Sequence, residues 1–232
     1  MALIRIIVRK SGFVAALFAC LHAPCSHAAE FAERCEQLSR EAKIAVEFQD
    51  RAVVADDSLN IQKLNEMSAK PAGSAIHTLG LTHAQPTYQL SVAVRAIADG
   101  QGQICATPEI TLALGFSAFV VYLARDLTDF CRREVIRAHE QEHVNTWRSN
   151  LRASAQMLPG ILRREIGDAR VYATRAEAEA DVRERAKELV TPWMQRVMAA
   201  ASEAQQAIDT PTSYASVAGR LRACPPLARG AR

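Results

Sequence analysis

Five consecutive residues, His139-Glu140-Gln141-Glu142-His143, constrain this chain more than any other feature. On a helix, positions four apart lie on one face, so both imidazoles can reach a single metal ion while Glu140 projects beside them. Residues 131–147 are therefore expected to be helical. Two neutral imidazoles and a third protein ligand leave a zinc position for water, and a carboxylate placed as Glu140 is can take a proton from that water. The plain alternative is a polar helix face on which His139 and His143 sit beside Arg137 and Glu142.

The N-terminus says where such a site would work. Arg5, Arg9 and Lys10 precede an apolar run over residues 13–21 that is too short to span a bilayer, and Ser26-His27-Ala28 has small residues at the cleavage-determining positions. Residues 1–28 read as a secretory signal peptide cut after Ala28. Leu17-Phe18-Ala19-Cys20 offers a second reading, a lipoprotein box that would leave Cys20 acylated at the membrane, although Phe18 is bulky for such a box. Cleavage after Ala28 removes three basic residues and no acid, taking the formal charge from +3 to 0, and nothing in that balance suggests a nucleic-acid partner.

Four cysteines then remain: Cys35, Cys105, Cys131 and Cys224. An even number in an exported chain reads as two disulfides. The favoured pairing is Cys105 with Cys131, tying the strand region to the metal helix, and Cys35 with Cys224, closing the longest loop.

The order of elements is legible in outline. Residues 31–43 read as a short helix, 44–48 and 52–55 as short strands around Gln49-Asp50-Arg51, and 56–73 as a loop ending in Lys70-Pro71-Ala72-Gly73. Alternating residues follow over 75–82 and 88–97, broken at Gln85-Pro86, then a turn at 98–102 and two more strands over 109–116 and 118–124. The metal helix should start near 126–129 under a Thr128 or Asp129 cap and end at Pro159-Gly160. A charged helix is expected over 174–190, another from Pro192 to Ile208, and a tail from Tyr214 that is disordered past Leu227.

The third ligand is open. Ser149 and Thr146 stand where an extended metzincin motif carries His and Gly. Glu179 projects with Val182, Ala186 and Leu189 on an apolar face and needs a partner, either a metal or Arg175 or Arg183. Glu177, Asp181, Glu184 and Glu188 form a solvated stripe opposite. Tyr214, Asp209 and Glu203 complete the candidates. His77 and His83 read as ordinary hydrogen-bonded histidines, and Trp147 and Trp193 as core.

The export signal, the strands before 124, Cys131 ahead of His139-Glu140-Gln141-Glu142-His143-Val144, and the late Asp209-Thr210-Pro211-Thr212-Ser213-Tyr214 resemble a bacterial family of secreted zinc-dependent proteases known by the domain-of-unknown-function label DUF922. The resemblance covers residues 75–224 and is specific at the helix. That family often carries Asp-x-x-Thr-x-His-Gly late in the chain, where this sequence has Tyr214-Ala215 in the last two places, and it favours a small residue where Glu142 stands. The resemblance implies that Tyr214 occupies the position of that late histidine, where a tyrosine can also ligate zinc or stabilise an oxyanion.

The expectation is thus an α+β, zincin-like single domain over residues 29–227 with a disordered 228–232, periplasmic or secreted. His139 and His143 hold Zn2+, Glu140 is the general base, and a peptide or protein substrate lies against an edge strand within 118–124. A membrane enters only through a lipidated Cys20. The rival is a non-catalytic envelope binding protein that retains the fold.

Overall fold

The computed structural model describes residues 23–68 and 77–226. The expectations for residues 1–22, for the Lys70-to-Gly73 turn and for residues 228–232 lie outside them. The chain is α+β, and the described residues form five helices and one five-stranded sheet. Helix α1 (Ala23–Ser39) starts earlier than Phe31, so a cut after Ala28 would fall in its first two turns. Strands β1 (Lys43–Phe48) and β2 (Val54–Asp56) follow as expected. The stretch read as a loop contains helix α2 (Ile61–Met67), capped by the Asn60 side chain and anchored by fully buried Leu64.

The sheet is built on one long hairpin. Strand β3 (Gly80–Ala98) runs antiparallel to β4 (Ile104–Leu123) along its whole length. Gly100 and Gly102 supply the positive φ that the turn requires, and the Asp99 carboxylate accepts from the Gln101 and Gln103 amides. Each pair of expected strands is thus one strand. What looked like breaks is a register shift between Gln85 and Pro86, opposite which Ser117 has no strand partner. Even-numbered residues of β4 face the helices as far as Phe116, and odd-numbered ones (Phe119, Val121, Leu123) do so afterwards. One extra residue in β4 resets its parity while β3 keeps its own.

Because β3 occupies one edge of β4, the other edge is shared along its length by β5 (Arg170–Tyr172), β1 and β2, the last two parallel to β4. The segment 118–124, expected to offer an edge, is therefore interior. One edge of the sheet is β3, whose Val94 carbonyl is covered by Arg175 Nη1 at 2.6 Å, and the opposite edge is made by β5, β1 and β2.

Helix α3 (Phe130–Ile166, 37 residues) begins at Asp129, whose side chain accepts from the Arg132 amide. It does not end at Pro159. Likewise α4 (Arg175–Ile208) runs through Pro192 as one helix, where two were expected. A proline costs an intrahelical hydrogen bond, but packing outweighs it here. Leu158, Leu162 and Ile166 flank the first proline, Val190, Trp193 and Met194 the second, and all are buried in one core against Ile110, Leu112 and Leu114. A second core joins Phe116, Phe119 and Val121 to Ile136, Val144 and Leu151 of α3 and Val217 of α5 (Pro211–Ala223). Helix α5 lies where a tail was expected.

The cysteines pair differently from expectation: Cys35 with Cys105 and Cys131 with Cys224. Cys105 lies near the start of β4 and Cys131 beyond its end, so a single continuous strand separates them by roughly 60 Å at the ordinary rise per residue. Two disulfides suit an oxidising compartment, and no helix of the described residues is long and apolar enough to cross a membrane.

Peptide mapping without reduction should yield linked peptides for Cys35–Cys105 and Cys131–Cys224 and none joining Cys105 to Cys131. Replacing Cys131 and Cys224 together by serine should lower the unfolding free energy by about 2–5 kcal/mol, read from the denaturant midpoint.

Candidate metal centre

The inward face of α3 carries three polar side chains among apolar ones. Ile136, His139, Glu140, His143 and Val144 are all buried, with Glu140 only 4 % exposed. Buried polar groups need partners, and three elements supply them.

Strand β3 holds Glu140. The Thr82 hydroxyl donates to Glu140 Oε2 at 2.8 Å and lies 3.2 Å from the Glu140 carbonyl oxygen. Gly80 permits the approach: a Cβ there would sit 2.5 Å from Ile136 Cγ2 and 2.7 Å from Glu140 Oε1. Burial raises the proton affinity of Glu140 above that of an ordinary carboxylate, against the opposing pull of the Thr82 hydrogen bond and the two imidazoles.

The end of α4 holds the histidines. His143 Nδ1 meets Gln205 Oε1 at 2.5 Å, and Gln205 Nε2 donates to the His143 carbonyl at 3.3 Å. An amide that accepts from Nδ1 leaves Nε2 as the ligand atom. One turn later Asp209 caps α4, its amide donating to the Gln205 carbonyl at 3.4 Å. Its Oδ1 lies 3.3 Å from His139 Nε2 and 3.3 Å from His143 Nε2. Burial alone would raise the Asp209 pKa, but hydrogen bonds to both imidazoles, the His143 charge and Tyr214 hold it well below the carboxylate range. Burial lowers the His143 pKa less than Asp209, Gln205 and Glu140 raise it, so the net shift is upward.

Helix α5 starts at Thr210, whose side chain accepts from the Ser213 amide. It brings the Tyr214 ring to 6.0 Å from His139, and the Tyr214 hydroxyl bonds to Asp209. Burial and Asp209 together push the Tyr214 pKa up to about 12.

His139, His143 and Asp209 offer ligand atoms that all lie within 4.8 Å of one another, a group able to hold a metal ion. Two atoms bound tetrahedrally at the usual zinc–nitrogen length lie about 3.3 Å apart. Both His-to-Asp209 distances match that spacing. Two nitrogens and one carboxylate oxygen are a donor set that zinc, among other divalent cations, accepts. His139 Nδ1 is buried with no hydrogen-bond partner among the described residues, so the site constrains His139 less than His143. Asp129, Cys131 and Cys224 form another close group, but both sulfurs are committed to a disulfide.

Of the four third-ligand candidates, the fold brings Asp209 into the ligand group and Tyr214 beside it. Glu179 lies thirty residues earlier on α4, about 45 Å away along the axis, facing Arg175 at 4.0 Å. Glu203 is exposed and belongs to no such group. His77 stands at the cavity wall near Asn65, His83 is exposed, Trp193 is core and Trp147 lines the cavity. Sequence reasoning missed Gly80, Thr82 and Gln205. Only Gln205 left a trace, its position one helical turn before Asp209.

Family models, curated proteins and solved structures give no match to this chain.

Asp209→Ala should weaken zinc binding more than about 100-fold in a chelator competition, since even groups that merely support ligands are worth 10–100-fold. Glu179→Ala and Glu203→Ala should leave the affinity unchanged.

Proposed function

We propose that this protein is a zinc-dependent peptidase with a zincin-like fold, exported to the periplasm or beyond. The observation that carries the reading is the meeting of His139 Nε2 and His143 Nε2 on one oxygen of Asp209, beside a buried Glu140 on the same helix face. Among the described residues the group has three donors, the number that catalytic zinc sites use, whereas structural sites fill all four positions. That favours an enzyme over a binding protein that merely keeps the fold. The two disulfides and the positive, apolar N-terminus support export. The resemblance to DUF922 points to the same activity, and Asp209 takes the ligand role in this reading while Tyr214 takes a supporting one.

Zinc held by His139, His143 and Asp209 would supply Lewis acidity, polarising a carbonyl and making water a nucleophile near neutral pH. Glu140 takes the proton from the attacking water and passes it to the leaving amine. Thr82 fixes one carboxylate oxygen for that exchange, and the raised proton affinity of Glu140 brings it closer to the pH at which it must both accept and release. Tyr214 keeps its proton at neutral pH and, by turning its hydroxyl away from Asp209, can donate to the oxyanion that develops on the substrate. Gln205 keeps His143 in its ligating orientation. The substrate backbone adds to the free edge of β3 next to Gly80 and Thr82.

Glu140→Gln should cut hydrolysis of a casein-type substrate by about 10²–10⁴-fold while zinc stoichiometry stays the same. Equal rates for this variant and the parent would sink the mechanism. Thr82→Val should lower kcat by about 10-fold through loss of one hydrogen bond to a charged group, with Thr82→Ser restoring most of it.

A further inference from the structure

The ligand group opens into a cavity of about 1020 Å³ between β3, α3, α4 and α5. Among the described residues its lining contains no lysine or arginine, and the acids there are Glu140 and Asp209, both used by the centre itself. A charged substrate side chain would shed water there, and outside the centre the described lining offers it no carboxylate, lysine or arginine. The apolar lining is uneven in what it can offer. Ile136 and Val217 are already buried in the second core. Trp147 packs against that core but stays half-buried and lines the cavity, and Met198 is half-buried and belongs to neither core. Trp147 follows His143 by four residues and Met198 precedes Gln205 by seven, so along their helices they stand about 6 Å from His143 and about 10 Å from the Gln205 that holds it. A side chain next to the cleaved bond of an extended peptide reaches that far.

We propose that Trp147 and Met198, with Ala84 on the facing strand, form the specificity pocket of the peptidase described above, and that it selects a large apolar side chain, such as Phe, Leu or Met, adjacent to the cleaved bond. Trp147 provides a rigid apolar wall and Met198 an adaptable one. The free edge of β3 aligns the main chain, and selection falls to the side chain that enters between the two helices. Substrates are then segments that present apolar residues in extended form, as unfolded proteins do. This inference rests on the peptidase reading for its biological meaning, but the pocket can be tested without turnover.

The test uses zinc-loaded Glu140→Gln protein and short peptides identical except for one residue: Phe, Leu, Gly or Asp. Trp147 is one of two tryptophans, and Trp193 is buried in the other core, so binding should be visible as a change in Trp147 fluorescence. The Phe and Leu peptides should bind at least about 10-fold more tightly than the Gly and Asp peptides, the scale expected for one large apolar side chain in a fitted pocket. Met198→Asp should erase that preference while retaining zinc, and in the active enzyme it should shift cleavage of denatured casein, mapped by mass spectrometry, towards basic residues. Equal binding of all four peptides, or a preference untouched by Met198→Asp, overturns the pocket whatever the activity. Failure of the parent to bind zinc or cut casein instead overturns the peptidase reading, and the fluorescence result still decides the pocket.

Discussion

Burying His139, Glu140 and His143 on a helix face that otherwise packs against a sheet is the constraint from which much of this architecture follows. Each of these groups loses water on folding, and an unpaired polar group in such a place costs roughly 1–3 kcal/mol or more. The partners come from three separate segments: Thr82 from β3, Gln205 and Asp209 from the end of α4, and Tyr214 from α5. The site therefore cannot exist in α3 alone. It requires that β3 lie alongside the helix and that α4 return antiparallel over its full length, so that residue 209 arrives beside residue 139.

The long hairpin makes that alignment possible. A strand of 20 residues paired throughout to one of 19 gives α3 and α4 a continuous surface on which to lie. Both helices consequently tolerate an interior proline, because the buried residues on either side of Pro159 and Pro192 hold the axis in place. The extra residue at Ser117 keeps the apolar side of β4 turned inward past the middle of the sheet. Were Ser117 paired in regular alternation, with no bulge to absorb it, Phe119, Val121 and Leu123 would point to solvent and the second core, which carries the histidines, would lose its floor.

This division explains what could be read from the sequence. The metal helix, its cap at Asp129, the two imidazoles and Glu140 are written within a few turns of one another, where local periodicity and capping chemistry apply. The strands were legible by alternation, but a bulge imitates a strand break because it interrupts alternation in the same way. Pro159 and Pro192 carry strong local stop signals that only tertiary packing overrides. Asp209 was one of four candidates because the pairing of α4 with α3 decides which acid arrives, and that pairing has no local signature. Glu179 was attractive on its own helix for lying on an apolar face, yet Arg175 satisfies it far from the centre. The expected pairing of Cys105 with Cys131 failed for a related reason: it was drawn with two short strands between them, where a single strand of 20 residues carries them apart.

The observed pairing has a consequence for the centre. Cys131 opens the first turn of α3 and Cys224 closes α5, so the disulfide joins the helix bearing the histidines to the helix bearing Tyr214. Arg132 reinforces the junction by donating to the Pro225 carbonyl at 3.0 Å. Between those two cysteines the chain leaves along α3, turns at β5 and comes back along α4, with Asp209 at its last bend. Covalent closure of that path shortens the list of places Asp209 can occupy even when packing loosens. The ligand group is thus held at both ends, by the cap and disulfide at Asp129 and Cys131 and by the paired cores beneath α3. A centre assembled from distant segments keeps its geometry because a covalent tie and a continuous helix axis fix the same bend from two directions.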